Sequence, residues 1–94
     1  MLFNKYNDKQ KLIYKTLSEI ELAINETAIR KRVSAVIDKL YTIKPKAKND
    51  GQLKQLNHYV KELKSELVNP IESIINNYLD KIDSILNQIK YEGE

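Results

Sequence analysis

The chain has 94 residues, of which 41% are hydrophobic and 31% charged, and its formal net charge is +3. It has no cysteine, which excludes disulfides, thiolate metal sites and a cysteine nucleophile, and its two glycines and two prolines favour a few long elements. No apolar run is long enough for a membrane span and none follows the first residues as in a secretory signal, so we expect a single cytoplasmic domain.

The first half of the chain carries two helical stripes separated by an irregular step. Apolar residues recur at intervals of four and three, which is the spacing of one face of an α-helix. The two runs are Ile13, Leu17, Ile20, Ile24 and Ile29, Val33, Val36, Leu40. The step of five between Ile24 and Ile29 turns the stripe by about 140°, at about 100° per residue. We therefore predict helices over about 8–24 and 27–43, with one long helix over 8–43 as the alternative.

The second half begins with the one evident loop, at residues 44–49, where Pro45 disfavours helical geometry at the residue before it. Two further stripes follow. Their apolar residues are Leu53, Leu56, Val60, Leu63, Leu67 and Ile71, Ile75, Tyr78, Ile82, Ile85, Ile89. They predict helices over about 50–68 and 70–91, the last one with Asn69 as its cap and Pro70 at its first position.

These patterns predict an all-α fold, an antiparallel helical hairpin or bundle of three to four helices in one domain over residues 1–94. A turn at 44–49 is expected to pair the second and third helices as a central hairpin. It also brings the two outer breaks to one level, because they lie at similar distances along the chain from that turn.

The last helix has an apolar face wider than one helical neighbour requires. Ile74, Leu79 and Leu86 lie beside its main stripe. A two-helix hairpin cannot cover such a face by itself. Either the first helix folds back over it, or a second copy of the chain covers it in a homodimer.

The chain offers few residues for catalysis or metal binding. His58 is the only histidine and lies outside its helix stripe, so Glu62 four residues later is interpreted as a surface neighbour. Carboxylates at helical spacing are interleaved with lysines, as on a solvated face, and two isolated glycines form no phosphate loop. We expect no enzymatic activity, no catalytic, cofactor-binding or metal-binding residue, and no small-molecule substrate.

A basic segment over residues 30–48 is the main candidate contact surface. It has seven basic residues against one acid, Asp38. The basic residues and the aromatic residue among them are Arg30, Lys31, Arg32, Lys39, Tyr41, Lys44, Lys46 and Lys48. Such a surface attracts a phosphate backbone, with Tyr41 available for stacking on a base. The alternative is that these lysines keep a long helix and its loop soluble.

Six tyrosines are many for a chain of this length. Tyr78 falls in the core stripe and is expected to pack there. Tyr14 and Tyr59 lie off the main stripes, where amphipathic tyrosines either anchor a protein partner or line the shoulders of the bundle. We retain Tyr14 and Tyr59 as candidate protein-contact residues.

These features favour a small non-enzymatic helical protein that binds and modulates a protein partner, of the accessory or inhibitor type that phages and mobile elements encode. The first alternative is a nucleic-acid-binding regulator that uses residues 30–48. In length, charge and helical class the chain also resembles small helical bacteriocin immunity proteins, without a shared motif. A protein of that type is the second alternative.

Overall fold

Four α-helices make up the part of the chain that the computed structural model describes, residues 8–42 and 50–93, with side chains described as far as Ile89. The helices are α1 Asp8–Ala23, α2 Thr27–Thr42, α3 Asp50–Glu66 and α4 Glu72–Gly93. No strand occurs among these residues, and the predicted all-α class and helical bundle are confirmed. The loop predicted at 44–49, together with residue 43, lies outside the described residues.

A capped corner separates α1 from α2. The backbone N–H of Ile24 still donates to the Ile20 carbonyl, at 3.1 Å. The Glu26 carboxylate then accepts hydrogen bonds from the N–H groups of Ala28 and Ile29, at 3.2 and 2.9 Å. These bonds satisfy two of the N–H groups that the first turn of a helix leaves without a partner. The five-residue step in the apolar pattern therefore marks a corner, and this half of the chain has two helices.

The second corner, between α3 and α4, differs by a few residues from its prediction. α3 ends at Glu66 and not at 68. α4 begins at Glu72, and the Ile71 carbonyl accepts a helical hydrogen bond from the N–H of Ile75 at 3.0 Å. Pro70 thus lies in the turn before the helix and not at its first position. Proline disfavours helical geometry at the residue before it, so the residues up to Pro70 form the turn and α4 starts only after them.

Each helix packs against two others, and the two corners define the hairpins of the bundle. α1 and α4 each pack on both α2 and α3, while α1/α4 and α2/α3 lie across the diagonals. α1 and α3 run in the same direction, since Lys9 contacts Asp50 at 2.6 Å near their starts and Glu19 contacts Lys64 further along. The second and third helices, expected as a central hairpin, are not direct neighbours. The short corners place α1 beside α2 and α3 beside α4 instead.

Isoleucine, leucine and valine side chains from all four helices form the core. Its innermost members, none more than 1% exposed, are Ile13, Leu17, Ile20, Val33, Val36, Leu53, Leu56, Val60, Leu63, Leu79, Ile82, Leu86 and Ile89. Leu79 and Leu86, expected beside the main stripe of α4, are therefore central. Tyr78 is only partly buried and Ile71 is 48% exposed, although both belong to the predicted stripe. α2 and α3 together cover the wide face of α4 within one chain, whereas the first helix, expected to fold back over it, lies diagonally opposite. The homodimer stays a prediction.

Candidate functional site

The predicted basic segment is only partly a free surface. Arg30 and Lys31 are exposed on α2, and neither forms an ion pair with a described residue. Arg32 and Lys39 instead reach α4 and contact acidic side chains there. Three lysines of the basic segment lie outside the described residues: Lys44, Lys46 and Lys48. The described part of the segment therefore offers two uncompensated cations, which point about 100° apart around the helix axis.

Arg32 is the centre of a polar network between α2 and α4. Its guanidinium donates to the side-chain oxygen of Asn76 at 2.9 Å and to the Asp80 carboxylate at 2.8 Å. A further hydrogen bond reaches Asp83 at 3.2 Å, and Lys39 approaches the same carboxylate at 3.4 Å. Partial burial opposes the charge on Arg32, but its hydrogen bonds to the two aspartates outweigh burial and raise its pKa above the ordinary value. Arg32 and Lys39 thus serve to join two helices.

The candidate tyrosines line the shoulders of the bundle in two separate clusters. Tyr14 of α1 packs edge-on against Tyr41 of α2, with ring centres 4.8 Å apart. The ring of Tyr59 on α3 lies 6.4 Å from that of Tyr78 on α4. The Lys81 ammonium group lies 5.4 and 5.6 Å from these two ring centres, within the range of a cation–π contact. All four rings are partly buried against the core, so each cluster stabilises a helix pair.

The described side chains do not converge on a metal site. His58 is 64% exposed, and its Nε2 lies 3.4 Å from a carboxylate oxygen of Glu62 one turn later. No group of three metal-ligating side chains occurs in the part of the chain that the structure describes. The expected absence of enzymatic activity, of a cofactor and of a small-molecule substrate stays a prediction.

Both corners lie at one end of the bundle, and an apolar pocket of about 290 Å³ opens between them. We call this end, residues 19–29 and 65–75, the corner end. The pocket is lined by Ala23, Ile24, Asn25, Glu26, Ile29, Leu67, Pro70, Glu72 and Ile75. Its deepest members are Ile24, Ile29 and Ile75, which belong to the core cluster. All four helices start or stop here, so the core ends at these residues, which keep 3–6% of their surface exposed.

Three large hydrophobic side chains that the fold leaves in solvent are sequence neighbours of the pocket lining. They are Leu22, 76% exposed, Val68, 91% exposed, and Ile71, 48% exposed. Among the other described residues, the only large hydrophobic side chain of comparable exposure is Leu12, at 44% near the start of α1. Three of the four exposed large hydrophobic side chains among the described residues therefore lie at the corner end.

The apolar pattern of the sequence does not reveal this pocket. It indicates that both breaks lie at one level, but it assigns Leu67 and Ile71 to stripes and Leu22 and Val68 to none. A signal is nonetheless present, because Leu22 and Val68 lie off the stripes and beside the two breaks. An apolar residue at such a position does not face the core. The pocket also requires that both corners lie beside the same core residues, which no local pattern specifies.

No helix among the described residues combines the length and the apolar character needed to cross a membrane. Comparison of the chain with protein-family models, with curated proteins and with solved structures finds no match.

Proposed function

We propose that this chain is a small helical binding protein, without catalytic activity of its own, and that the corner end is its contact surface. The observation that carries the proposal is the mainly apolar pocket of about 290 Å³, together with the exposed side chains of Val68 and Ile71, which are sequence neighbours of its lining residues. Exposed apolar patches on small proteins mark interaction sites, and binding energy concentrates in a few side chains that fill such pockets. The partner is a protein that inserts an apolar side chain there.

The contacts of the other candidate residues support this choice of surface. Arg32 and Lys39 are compensated by aspartates of α4, and Tyr14 and Tyr59 pack against other tyrosines on the shoulders of the bundle. Each of these side chains has a role in holding helices together. Leu22 and Val68 at the corner end are 76% and 91% exposed and have no comparable role in the fold, so with the half-exposed Ile71 they are the apolar side chains that a partner would remove from water.

The biological role is a further part of the proposal. The protein modulates or inhibits its partner, as accessory proteins of phages and mobile elements do, and it acts in the cytoplasm. Nucleic-acid binding through the basic segment remains the alternative, with Arg30 and Lys31 as its available described residues. The alternative of a bacteriocin-immunity-like protein rests on size, charge and class alone.

A controlled pull-down from source-cell lysate tests the contact surface. The baits are the unaltered chain, the double variant Val68→Gln/Ile71→Gln and the control Leu12→Gln, each used with and without nuclease. Leu12 and Ile71 are 44% and 48% exposed, so the control matches the Ile71 half of the double variant in exposed apolar surface and lies near the start of α1, far from the pocket. We expect one protein to be retained by the unaltered chain and by the control, and to be lost from the double variant.

Two outcomes would contradict the proposal. Retention of the same protein by all three baits would exclude the corner end as the contact surface. Recovery that is lost after nuclease treatment, and also lost from an Arg30→Glu/Lys31→Glu bait, would favour the nucleic-acid alternative. Far-UV circular dichroism of each bait serves as the control for helical structure.

A further inference from the structure

The corner end is the acidic part of a basic chain. The whole chain has 16 Lys and Arg against 13 Asp and Glu, yet residues 19–29 and 65–75 contain only acidic charges. These are Glu19, Glu21, Glu26, Glu66 and Glu72. Because the two corners fold to the same end, Glu26 from one corner and Glu72 from the other line one pocket.

Most of this negative charge has no cationic partner in the described fold. There are two exceptions. The hydrogen bond from Lys64 compensates Glu19 and lowers the pKa of its carboxyl group. Glu21 lines a separate surface pocket together with Arg30 and Lys31. Glu26 accepts two backbone N–H groups of α2 but forms no ion pair with a described residue. Glu66 and Glu72 also form no ion pair with a described residue. Glu72 lines the pocket together with Glu26. The rim of the pocket is therefore net negative.

The size and the charge of the pocket together restrict what binds there. Its volume of about 290 Å³ lies just below the range of about 300–1,000 Å³ that is usual for drug-sized ligands, so it suits one or two side chains. A phosphate, a nucleic acid or an acidic peptide would bring like charge towards Glu26 and Glu72. The corner end of a second copy would carry the same glutamates. An apolar side chain flanked by Lys or Arg matches both the lining and the rim.

We infer that the segment bound by the corner end is basic: it inserts one large apolar side chain into the pocket and places Lys or Arg beside Glu26, Glu66 and Glu72. The inference rests on the proposed function and adds the chemistry of the partner. The inserted side chain supplies most of the affinity, while the charges accelerate association and discriminate against acidic segments. Binding therefore weakens as the salt concentration rises.

The experiment is a selection of short random peptides displayed on phage against the immobilised full-length chain. Phage that also bind the Val68→Gln/Ile71→Gln variant are removed, so that only peptides dependent on the corner end are retained. We expect the retained peptides to share one large apolar residue with Lys or Arg close to it in sequence.

A retained peptide is then labelled and titrated by fluorescence anisotropy against matched variants. Ile71→Gln is expected to raise Kd about tenfold, because it removes exposed apolar surface between the lining residues Pro70 and Glu72. Glu72→Gln is expected to raise Kd about two- to fivefold, as for the loss of one exposed charge pair. The control Asp38→Asn removes an exposed acid of α2 outside the corner end and should leave Kd unchanged. The salt dependence of Kd should be smaller for Glu72→Gln than for the unaltered chain.

The outcomes separate the inference from the proposed function. Retained peptides without an excess of Lys or Arg, bound with a Kd that Glu72→Gln does not change, would overturn the basic partner and leave the contact surface standing. A selection that yields no peptide dependent on Val68 and Ile71 would overturn the contact surface itself. Urea unfolding of Glu72→Gln provides the control that a weaker Kd does not arise from a weaker fold.

Discussion

Truncation to alanine around the corner end should produce a graded loss of stability. Leu63, near the end of α3, is 0% exposed, Ile71 is 48% exposed and Val68 is 91% exposed. Removal of a fully buried leucine side chain costs about 2–5 kcal/mol, which is the expectation for Leu63→Ala. Since about half of the Ile71 surface is covered, Ile71→Ala should cost about 1–2 kcal/mol on the same scale.

Val68→Ala is the most informative member of this series. The two methylene-sized groups that it removes are worth about 1.6 kcal/mol when fully buried, and folding covers only about a tenth of the residue, so the expected loss is about 0.2 kcal/mol. The free energy of unfolding is measured by urea denaturation with far-UV circular dichroism and linear extrapolation. A loss above about 1 kcal/mol would refute the reasoning, because Val68 would then be covered in solution. A transition that also shifts with protein concentration would identify the cover as a second copy.

Three further predictions concern polar contacts. Arg32→Gln and Asp83→Asn should show a coupling of about 0.5–1 kcal/mol in a double-mutant cycle followed by urea unfolding, and a coupling near zero would mean that their ion pair adds no stability. The hydrogen bond from Lys64 lowers the pKa of Glu19, so this pair stabilises the fold above the ordinary pKa of 4.5 and the stabilisation is lost as the pH falls through the lowered value. Glu19→Gln should therefore flatten the acid dependence of the unfolding free energy, and an unchanged dependence would contradict this. Burial raises the pKa of Tyr78. In an absorbance titration, Tyr78→Phe should therefore remove a phenol that ionises at higher pH than an ordinary tyrosine, and not one that ionises at lower pH.

Some charged residues of the basic segment stay exposed, while others join two helices of the fold. Arg30, Lys31 and Arg32 are adjacent in sequence, and consecutive helical residues point about 100° apart. Only Arg32 faces α4, where it meets Asn76 and Asp80. A substitution at Arg32 therefore changes the helix interface, and a test of the nucleic-acid alternative must use Arg30 and Lys31.

The sequence by itself determined the helices and most of their buried faces. Apolar residues at intervals of three and four lie on one side of a helix, and Ile13, Leu17 and Ile20 of the first predicted stripe are all 0% exposed. The corner before α2 also left a local signal, because the five-residue step between Ile24 and Ile29 rotates the stripe away from a continuous buried face, but one long helix over 8–43 stayed open until the structure showed the corner.

Only the tertiary structure decided which helices are neighbours, and with them the candidate site. A stripe records that a face is buried but not what covers it, so the diagonal placement of α2 and α3 has no local signature. Two helices meet α4, and the centre of its buried face consequently includes Leu79, while Tyr78 moves to the shoulder. The pocket at the corner end depends on two corners, more than forty residues apart in sequence, meeting at one end of the core. Its acidic rim was present in the composition, but the glutamates became a single surface only when packing brought those corners together.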